Sequence, residues 1–278
     1  MTSLRLGDLS LKRPAVMGIL NTTPDSFSDG GRFTAGARAL EHARLMAGEG
    51  ADIIDVGGES TRPGASAVSE QEEIDRVVPV IESIRRELDV PLSIDTSKPG
   101  VMRAAVAAGA DMINDVRALR VAGALDAAVE LRKPVCLMHM QGEPRTMQQD
   151  PRYADVVADV TQFLRDRVAK CVEAGLGEKL LILDPGFGFG KTPVDNIELL
   201  ANLRQLLALG RPLLVGISRK STLGELTGRE VGRRVPASVA AAVMAVDRGA
   251  SIVRAHDVAE TVDAMRIARA VIDMDTSK

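Results

Sequence analysis

Cysteine is nearly absent from this 278-residue chain, which has two. Cys136 stands in an apolar run and Cys171 in a helical stretch, with no metal-ligand spacing between them. That pattern excludes a disulfide framework and a cysteine-held zinc, and fits packing residues of a reducing compartment. Charge of one sign is also missing: 26% of the residues are charged and the net charge is −3. Neither a basic footprint for nucleic acid nor a polyacidic tail is present. No apolar run is long enough to span a bilayer, Ala237–Val246 being the longest, and Met1–Lys12 lacks the apolar core of a signal sequence. Nucleic acid and membrane are therefore not expected partners, and the cytoplasm is the expected location. Nor is there a Ser–His–Asp or Cys–His arrangement of the kind that activates a nucleophile.

What is present is a repeated grammar, clearest at Leu180–Lys191, LLILDPGFGFGK, which holds two of the five phenylalanines. Four apolar residues bounded by turn signals suit a buried strand, with Asp184 at its C-terminal end. The glycines do not make a nucleotide loop. A Walker A loop ending at Lys191 needs glycine where Pro185 stands, and a dinucleotide fingerprint starting at Gly186 needs glycine where Lys191 stands. The same grammar gives Ala15–Leu20 before Asn21, Ile53–Ile54 before Asp55, Leu92–Ile94 before Asp95 and Met112–Ile113 before Asn114. Val135–Met138 precedes His139, Leu213–Ile217 precedes Ser218, and Ser251–Val253 precedes Arg254 and His256.

Helical patterns fill the intervals. Thr34 is expected to cap Ala35–Glu49, Ser69 with Glu72 to box the helix ending at Leu88, and Ser97–Pro99 to open one ending at Ala108. Further helices are expected near 122–132, 153–174, 195–207 (with Asp195 and Glu198 as its cap pair), 238–248 and 257–273. Leu4–Leu11 alternates around Gly7–Asp8 as a small hairpin, expected to cover the barrel end remote from the site. No linker divides the chain, so one domain over 1–278 is expected. Eight strand–helix units at this length favour an α/β fold of the closed (β/α)8 TIM-barrel type over an open sheet. Two long polar loops, after Asn21 and after Asp55, suggest a lid.

In such a barrel the strand ends open on one face, so Asn21, Asp55, Asp95, Asn114, His139, Asp184, Ser218, Arg254 and His256 are expected to converge. Asp95, Asn114 and Asp184 suit the N–H donors and ring acceptors of a flat heterocycle. The alternative for Asp95 and Asp184 is that each caps the following helix. Lys220, Arg254 and His256, opposite them, and the helix beginning near Ser221 suit an anion. His256 as a hydrogen-bonded surface residue is the alternative there, and His42 reads as surface outright. Asp29, and less clearly Asp25, offer oxygens to Mg2+ touching a phosphate.

The segments MGILNTTPDSFSDGG (17–31), DVGGESTRPGA (55–65), SIDTSKPGVM (93–102), IND (113–115), LMHMQGEPRTMQ (137–148), DPGFGFGKT (184–192), GISRKS (216–221) and RAHDV (254–258) together resemble the dihydropteroate synthase family. The resemblance implies a (β/α)8 barrel, usually dimeric, that joins 6-hydroxymethyl-7,8-dihydropterin pyrophosphate to 4-aminobenzoate and releases pyrophosphate. It further implies that Asp95, Asn114, Met138, Asp184, Gly216 and Lys220 bind pterin and that Asn21, Arg254 and His256 bind pyrophosphate. Asn21 and Asp29 would hold Mg2+. Thr61, Arg62, Pro63, Phe189, Lys220 and Ser221 would form the aminobenzoate pocket, where sulfonamides act in this family. Asp95, Lys220, Arg254 and His256 would carry the catalysis. Arg117 and Asp195 depart from the family pattern. A corrinoid-methyltransferase pterin module would share Asp95, Asn114 and Asp184 but lack the TRPG and SRKS segments, and an aldolase would use Lys220 as a Schiff-base nucleophile.

Overall fold

The computed structural model describes residues 3–22, 32–60, 67–143 and 146–275. Asp25, Asp29, Thr61, Arg62 and Pro63, with most of both expected lid loops, lie outside these residues. The strands are β1 (Ser3–Leu6), β2 (Leu9–Lys12), β3 (Ala15–Asn21), β4 (Ile53–Gly57), β5 (Leu92–Asp95), β6 (Met112–Asp115), β7 (Val135–Met138), β8 (Leu181–Asp184), β9 (Leu214–Val215) and β10 (Ile252–Ala255). The helices are α1 (Arg32–Glu49), α2 (Glu70–Glu87), α3 (Pro99–Ala107), α4 (Ala124–Leu131), α5 (Val156–Glu173), α6 (Pro193–Ala201), α7 (Ser221–Thr227), α8 (Val235–Asp247) and α9 (Val258–Asp275).

The strands β3 to β10 form one parallel sheet in the order β8-β7-β6-β5-β4-β3-β10-β9. A parallel bridge between Leu183 and Leu213 joins its two ends, so the sheet closes as a barrel. Every strand of the sheet except β5, whose inward residues are Ser93 and Asp95, is apolar on both faces for separate reasons. Val16, Ile54, Val56, Ile94, Ile113, Leu137, Leu183 and Val253 point outward and pack with the helices in the main core. The alternate residues Ala15, Met17, Ile53, Met112, Cys136, Ile182, Leu214 and Ile252 fill the interior at its N-terminal end. The hairpin β1–β2, paired with Leu6 opposite Leu9, adds Leu4, Leu6 and Leu11 to that inner cluster. It therefore plugs the barrel from below, as its pattern suggests. Burying each such leucine stabilises the fold by roughly 1.5–3 kcal/mol.

With period two along each strand, the next inward position beyond the apolar layer is Asp55 after Ile53, Asn114 after Met112, Asp184 after Ile182 and Arg254 after Ile252. The apolar floor thus ends where the polar strand ends begin.

Several expected boundaries shift, each for a local reason. Helix α1 starts at Arg32, which puts Thr34 inside its first turn rather than at its cap. Ser69 caps α2 by accepting from the Glu72 N–H, but the Glu72 carboxylate pairs with Arg76. Lys98, not Ser97, precedes α3, because the Ser97 hydroxyl donates to the buried Asp115. Thr192 caps α6 and Asp195 is the reciprocal partner in the box, so the cap lies one turn before the expected Asp195–Glu198 pair. That helix ends at Ala201 and the chain continues as a 3-10 turn over Leu203–Leu209. Tyr153 stands before α5, which Asp155 caps through the N–H groups of Val157 and Ala158. Of the expected strand 213–217 only Leu214–Val215 pairs as β9. Among the described residues no helix is long and apolar enough to cross a membrane.

Candidate active site

The mouth of the barrel is built around Arg254 on β10. Its Nε donates to Asp55 Oδ2 at 2.6 Å and its Nη2 to Asp95 Oδ2 at 2.8 Å. Asn114 Nδ2 donates to the same Asp55 oxygen at 2.9 Å. Four strand ends from β4, β5, β6 and β10 are thus tied in one network. Arg254 was expected opposite the heterocycle-binding carboxylates; instead its planar fork engages one of them, Asp95, together with Asp55.

Asp55 is fully buried, and its Oδ1 has no hydrogen-bond partner among the described residues. Asp184, on β8, accepts the Gly186 N–H through Oδ1 at 2.7 Å. Burial pushes its carboxyl up to about 6, against the pull of that N–H and of Lys220. Burial raises Asp95 as well, opposed by Arg254 and reinforced by Asp55. Neither aspartate caps a helix, since Lys98 and Thr192 hold those positions. Cys136, inside the barrel below them, senses the whole group: burial and then Asp184, Asp55 and Asp95 drive its thiol far upward. These carboxylates therefore converge over one axis, with Arg254 and Lys220 as the cations among them.

The Lys220 ammonium donates to the Phe187 carbonyl at 2.6 Å and stands 4.1 Å over the Phe189 ring. Burial lowers it to about 8, although Asp184 pulls the other way. Phe189 also packs against Val116, Met138, Met140 and Met147, which gives the polar mouth one apolar wall. Gly216 lies against the Arg254 side chain, where an added Cβ would come 3.8 Å from Arg254 Cβ. Asn21, Gly57 and Asp95 are register partners on adjacent strands. Because Gly57 has no side chain, Asn21 Oδ1 and Asp95 flank it closely, 3.7 and 3.6 Å from where a Cβ would stand.

His256 Nδ1 and N–H both meet Ser218 Oγ, at 3.1 and 3.2 Å, so the two strand-end residues pair. Asp257, next in sequence, forms a bidentate pair with Arg219, which holds the 218–221 segment against the end of β10. Ser221 is exposed at the start of α7.

His139 does not join the mouth. Met138 takes the inward position, and His139 turns behind the strand, edge-on to Phe163 at 4.9 Å and in contact with Lys191. Asp55 is the converse case, a strand end given no role by sequence that holds the centre of the network. Its sequence signals were its place after the Ile53–Ile54 run and at the head of the 55–65 segment, neither of which assigned it a contact. The two family departures are structural: Arg117 pairs with Glu143, and Asp195 completes the α6 cap.

The arrangement suits a planar ligand with several N–H groups, held between carboxylates and a Met/Phe wall, with an anion nearby. Comparison with known proteins agrees. Residues 17–256 match the family described as pterin binding enzyme. The chain is 52% identical to the dihydropteroate synthase of Escherichia coli (strain K12) over 97% of its length and 96% of that protein. The Yersinia pestis dihydropteroate synthase in complex with a sulfonamide drug superposes with a TM-score of 0.93 at 52% identity, covering 98% of this chain and all of that one. The Xanthomonas albilineans dihydropteroate synthase with 4-aminobenzoic acid superposes with a TM-score of 0.92 at 56% identity, covering 97% of this chain and 98% of that one. On its inward-facing strand ends and its end-to-end likeness to these enzymes, the chain belongs to the dihydropteroate synthase family of pterin-binding enzymes.

Proposed function

We propose that the chain condenses 6-hydroxymethyl-7,8-dihydropterin pyrophosphate with 4-aminobenzoate to 7,8-dihydropteroate and pyrophosphate. The observation that carries this reading is the mouth itself, where three inward carboxylates, Asp55, Asp95 and Asp184, outnumber the two cations Arg254 and Lys220. An electron-rich floor of that kind suits a ring that gains positive charge when its leaving group departs. The two alternatives read from sequence lose ground because the relatives matched over nearly the whole chain are synthases.

In this reading Asp95, Asn114 and Asp184 hold the pterin, against Met138 and beside Gly216 and Lys220. Breaking the methylene C–O bond sends its electron pair to the diphosphate and leaves a cation delocalised into the ring. A carboxylate stabilises that cation more than the neutral ground state, so the interaction lowers the barrier. Arg254 links the two halves. Arg254 pairs with Asp95, and a diphosphate beside it and His256 competes for the same guanidinium. Transfer of Arg254 to the diphosphate frees the Asp95 carboxylate as the ring becomes positive. The arylamine nitrogen then forms the C–N bond and loses one proton, with its carboxylate near Ser221 and its ring near Phe189 and the segment of Thr61, Arg62 and Pro63.

The Asn21 carboxamide oxygen, beside Asp95 at the rim, is a hard donor that fits Mg2+, an ion commonly held by one or two protein oxygens plus phosphate. Asn21 and Asp29 would hold it, and it would neutralise charge on the diphosphate. We further propose that the whole chain acts as one domain. A homodimer is supported by the large apolar side chains exposed on α8 and α9, Met244, Ile267, Val271 and Met274. A cytoplasmic location is supported by two buried, unpaired cysteines. The test is formation of dihydropteroate by the purified chain. Product and pyrophosphate in equal amounts, only with both substrates present, are expected; methyltetrahydrofolate binding without pyrophosphate release would refute the reading.

A further inference from the structure

Behind the aminobenzoate wall, the loop between β8 and α6 is held at every carbonyl from Gly186 to Gly190. Lys191 Nζ donates to Gly186 O at 2.8 Å and to Phe189 O at 3.2 Å. Lys220 Nζ takes Phe187 O, Gln148 Nε2 takes Gly188 O at 2.6 Å, and the Tyr153 hydroxyl takes Gly190 O at 2.7 Å. The backbone inside this frame could not hold its shape with other residues. Gly186 has φ +72°, and a Cβ there would lie 1.8 Å from the His139 carbonyl oxygen.

Lys191 is the internal member of the set. It is 2% exposed, and its third partner is His139 Nδ1 at 2.9 Å. An ammonium has three N–H groups and no acceptor, so three acceptors match it fully, provided His139 carries its proton on Nε2. Burial keeps that ring neutral by lowering His139 to about 2. Neither Lys191 nor His139 reaches the barrel mouth.

We propose that Lys191 is a positioning residue for the aminobenzoate half of the reaction: its three-way donation closes the 185–190 loop from behind, and the closed loop fixes Phe189 and Lys220. The inference rests on the synthase reading for the identity of the substrate, but the clamp itself is a matter of geometry. Its ammonium is tunable. Burial lowers Lys191 to about 7, with Asp184 and Asp195 pulling it up and Lys220 pushing it down. The other groups against it are the neutral His139 after β7 and the Tyr153 ring before α5, 6.0 Å away. Loss of one proton leaves two donors for three acceptors and loosens the loop.

The chain supplies its own reporter, for Tyr153 is its single tyrosine and there is no tryptophan. Burial raises the Tyr153 phenol, so an emission change near neutral pH does not come from its own ionisation. The experiment follows Tyr153 emission from pH 5.5 to 9 in the wild type and in Lys191→Met, alongside KM and kcat for each substrate over the same range. The expected result is an emission inflection near neutral pH in the wild type that is missing from Lys191→Met. KM for 4-aminobenzoate rises through that inflection in the wild type. In Lys191→Met it is at least ten-fold higher and lacks the step near neutral pH, while KM for the pterin pyrophosphate changes less than three-fold. A second pair guards against misfolding of that variant: His139→Asn keeps an acceptor for Lys191 and retains the wild-type KM, whereas His139→Leu raises it. The proposal is overturned if the inflection persists in Lys191→Met, or if both KM values move together, or if His139→Asn and His139→Leu behave alike. A wild type with the tyrosine inflection but no synthase activity overturns the functional reading and leaves the clamp standing.

Discussion

Replacing Arg254 by methionine probes the network that organises the site, and its cost follows from burial. The substitution removes one guanidinium that serves two carboxylates, Asp55 fully buried and Asp95 with a side chain 11% exposed. Breaking a buried ion pair by deleting one partner costs about 3–5 kcal/mol, because the remaining charge stays out of water without compensation. At roughly 2.1 cal/mol/K of unfolding entropy per residue, a 278-residue chain loses about 7 °C in Tm for about 4 kcal/mol. Thermal unfolding followed by far-ultraviolet circular dichroism measures the shift. Adding Asp55→Asn to Arg254→Met removes the more deeply buried of the two stranded charges, yet keeps an oxygen for Asn114, and recovers at least half of the loss. In calorimetry the single variant binds the pterin pyrophosphate at least thirty-fold more weakly, while the pyrophosphate-free pterin binds no more weakly than to the wild type. An Arg254→Met protein that melts within about 1 °C of wild type, or one that Asp55→Asn does not rescue, shows that Arg254 does not compensate the buried Asp55 charge.

Three further outcomes follow from the same contacts. Asp95→Asn lowers kcat by a factor of about 100 to 1,000, as loss of a preorganised electrostatic partner does, with a much smaller change in pterin affinity; unchanged kcat with a raised KM contradicts that role. Leu6→Ala, in the plug at the closed end, costs roughly 2–5 kcal/mol in denaturant unfolding while kcat/KM stays within two-fold of wild type; a matching loss of activity in the folded protein would argue against separate ends. Gly186→Ala forces a Cβ against the His139 carbonyl and displaces the loop, so KM for 4-aminobenzoate rises sharply; a variant with wild-type kinetics shows that the loop does not set the pocket.

The barrel was legible because its strands repeat one local rule, an apolar pair followed by a polar residue, and local rules survive in sequence. Asp95, Asn114, Asp184 and Arg254 were identified from that rule and do meet at one mouth. Which of them touch was not legible. The Arg254–Asp55 pair joins residues 199 positions apart, and nothing near Asp55 marks it as the anchor. His139 shows the opposite failure: it follows β7 as Asp184 ends β8, but one step of a period-two strand turns it outward to Lys191. The helix starts slipped for a related reason. Ser97 has the chemistry of a cap, yet the buried Asp115 recruits its hydroxyl from the neighbouring strand end, and no window around Ser97 contains that competitor.

In the proposed reaction Arg254 exchanges Asp95 for the diphosphate when the pterin pyrophosphate binds. Crystals of the chain with Mg2+, the pterin pyrophosphate and a non-reacting aminobenzoate analogue measure this directly. The pterin is expected between Asp95, Asn114 and Asp184, with the Arg254 guanidinium on phosphate oxygens and beyond hydrogen-bond distance of Asp95. A bound complex in which Arg254 still clasps Asp95, or in which the pterin lies away from these three side chains, contradicts it.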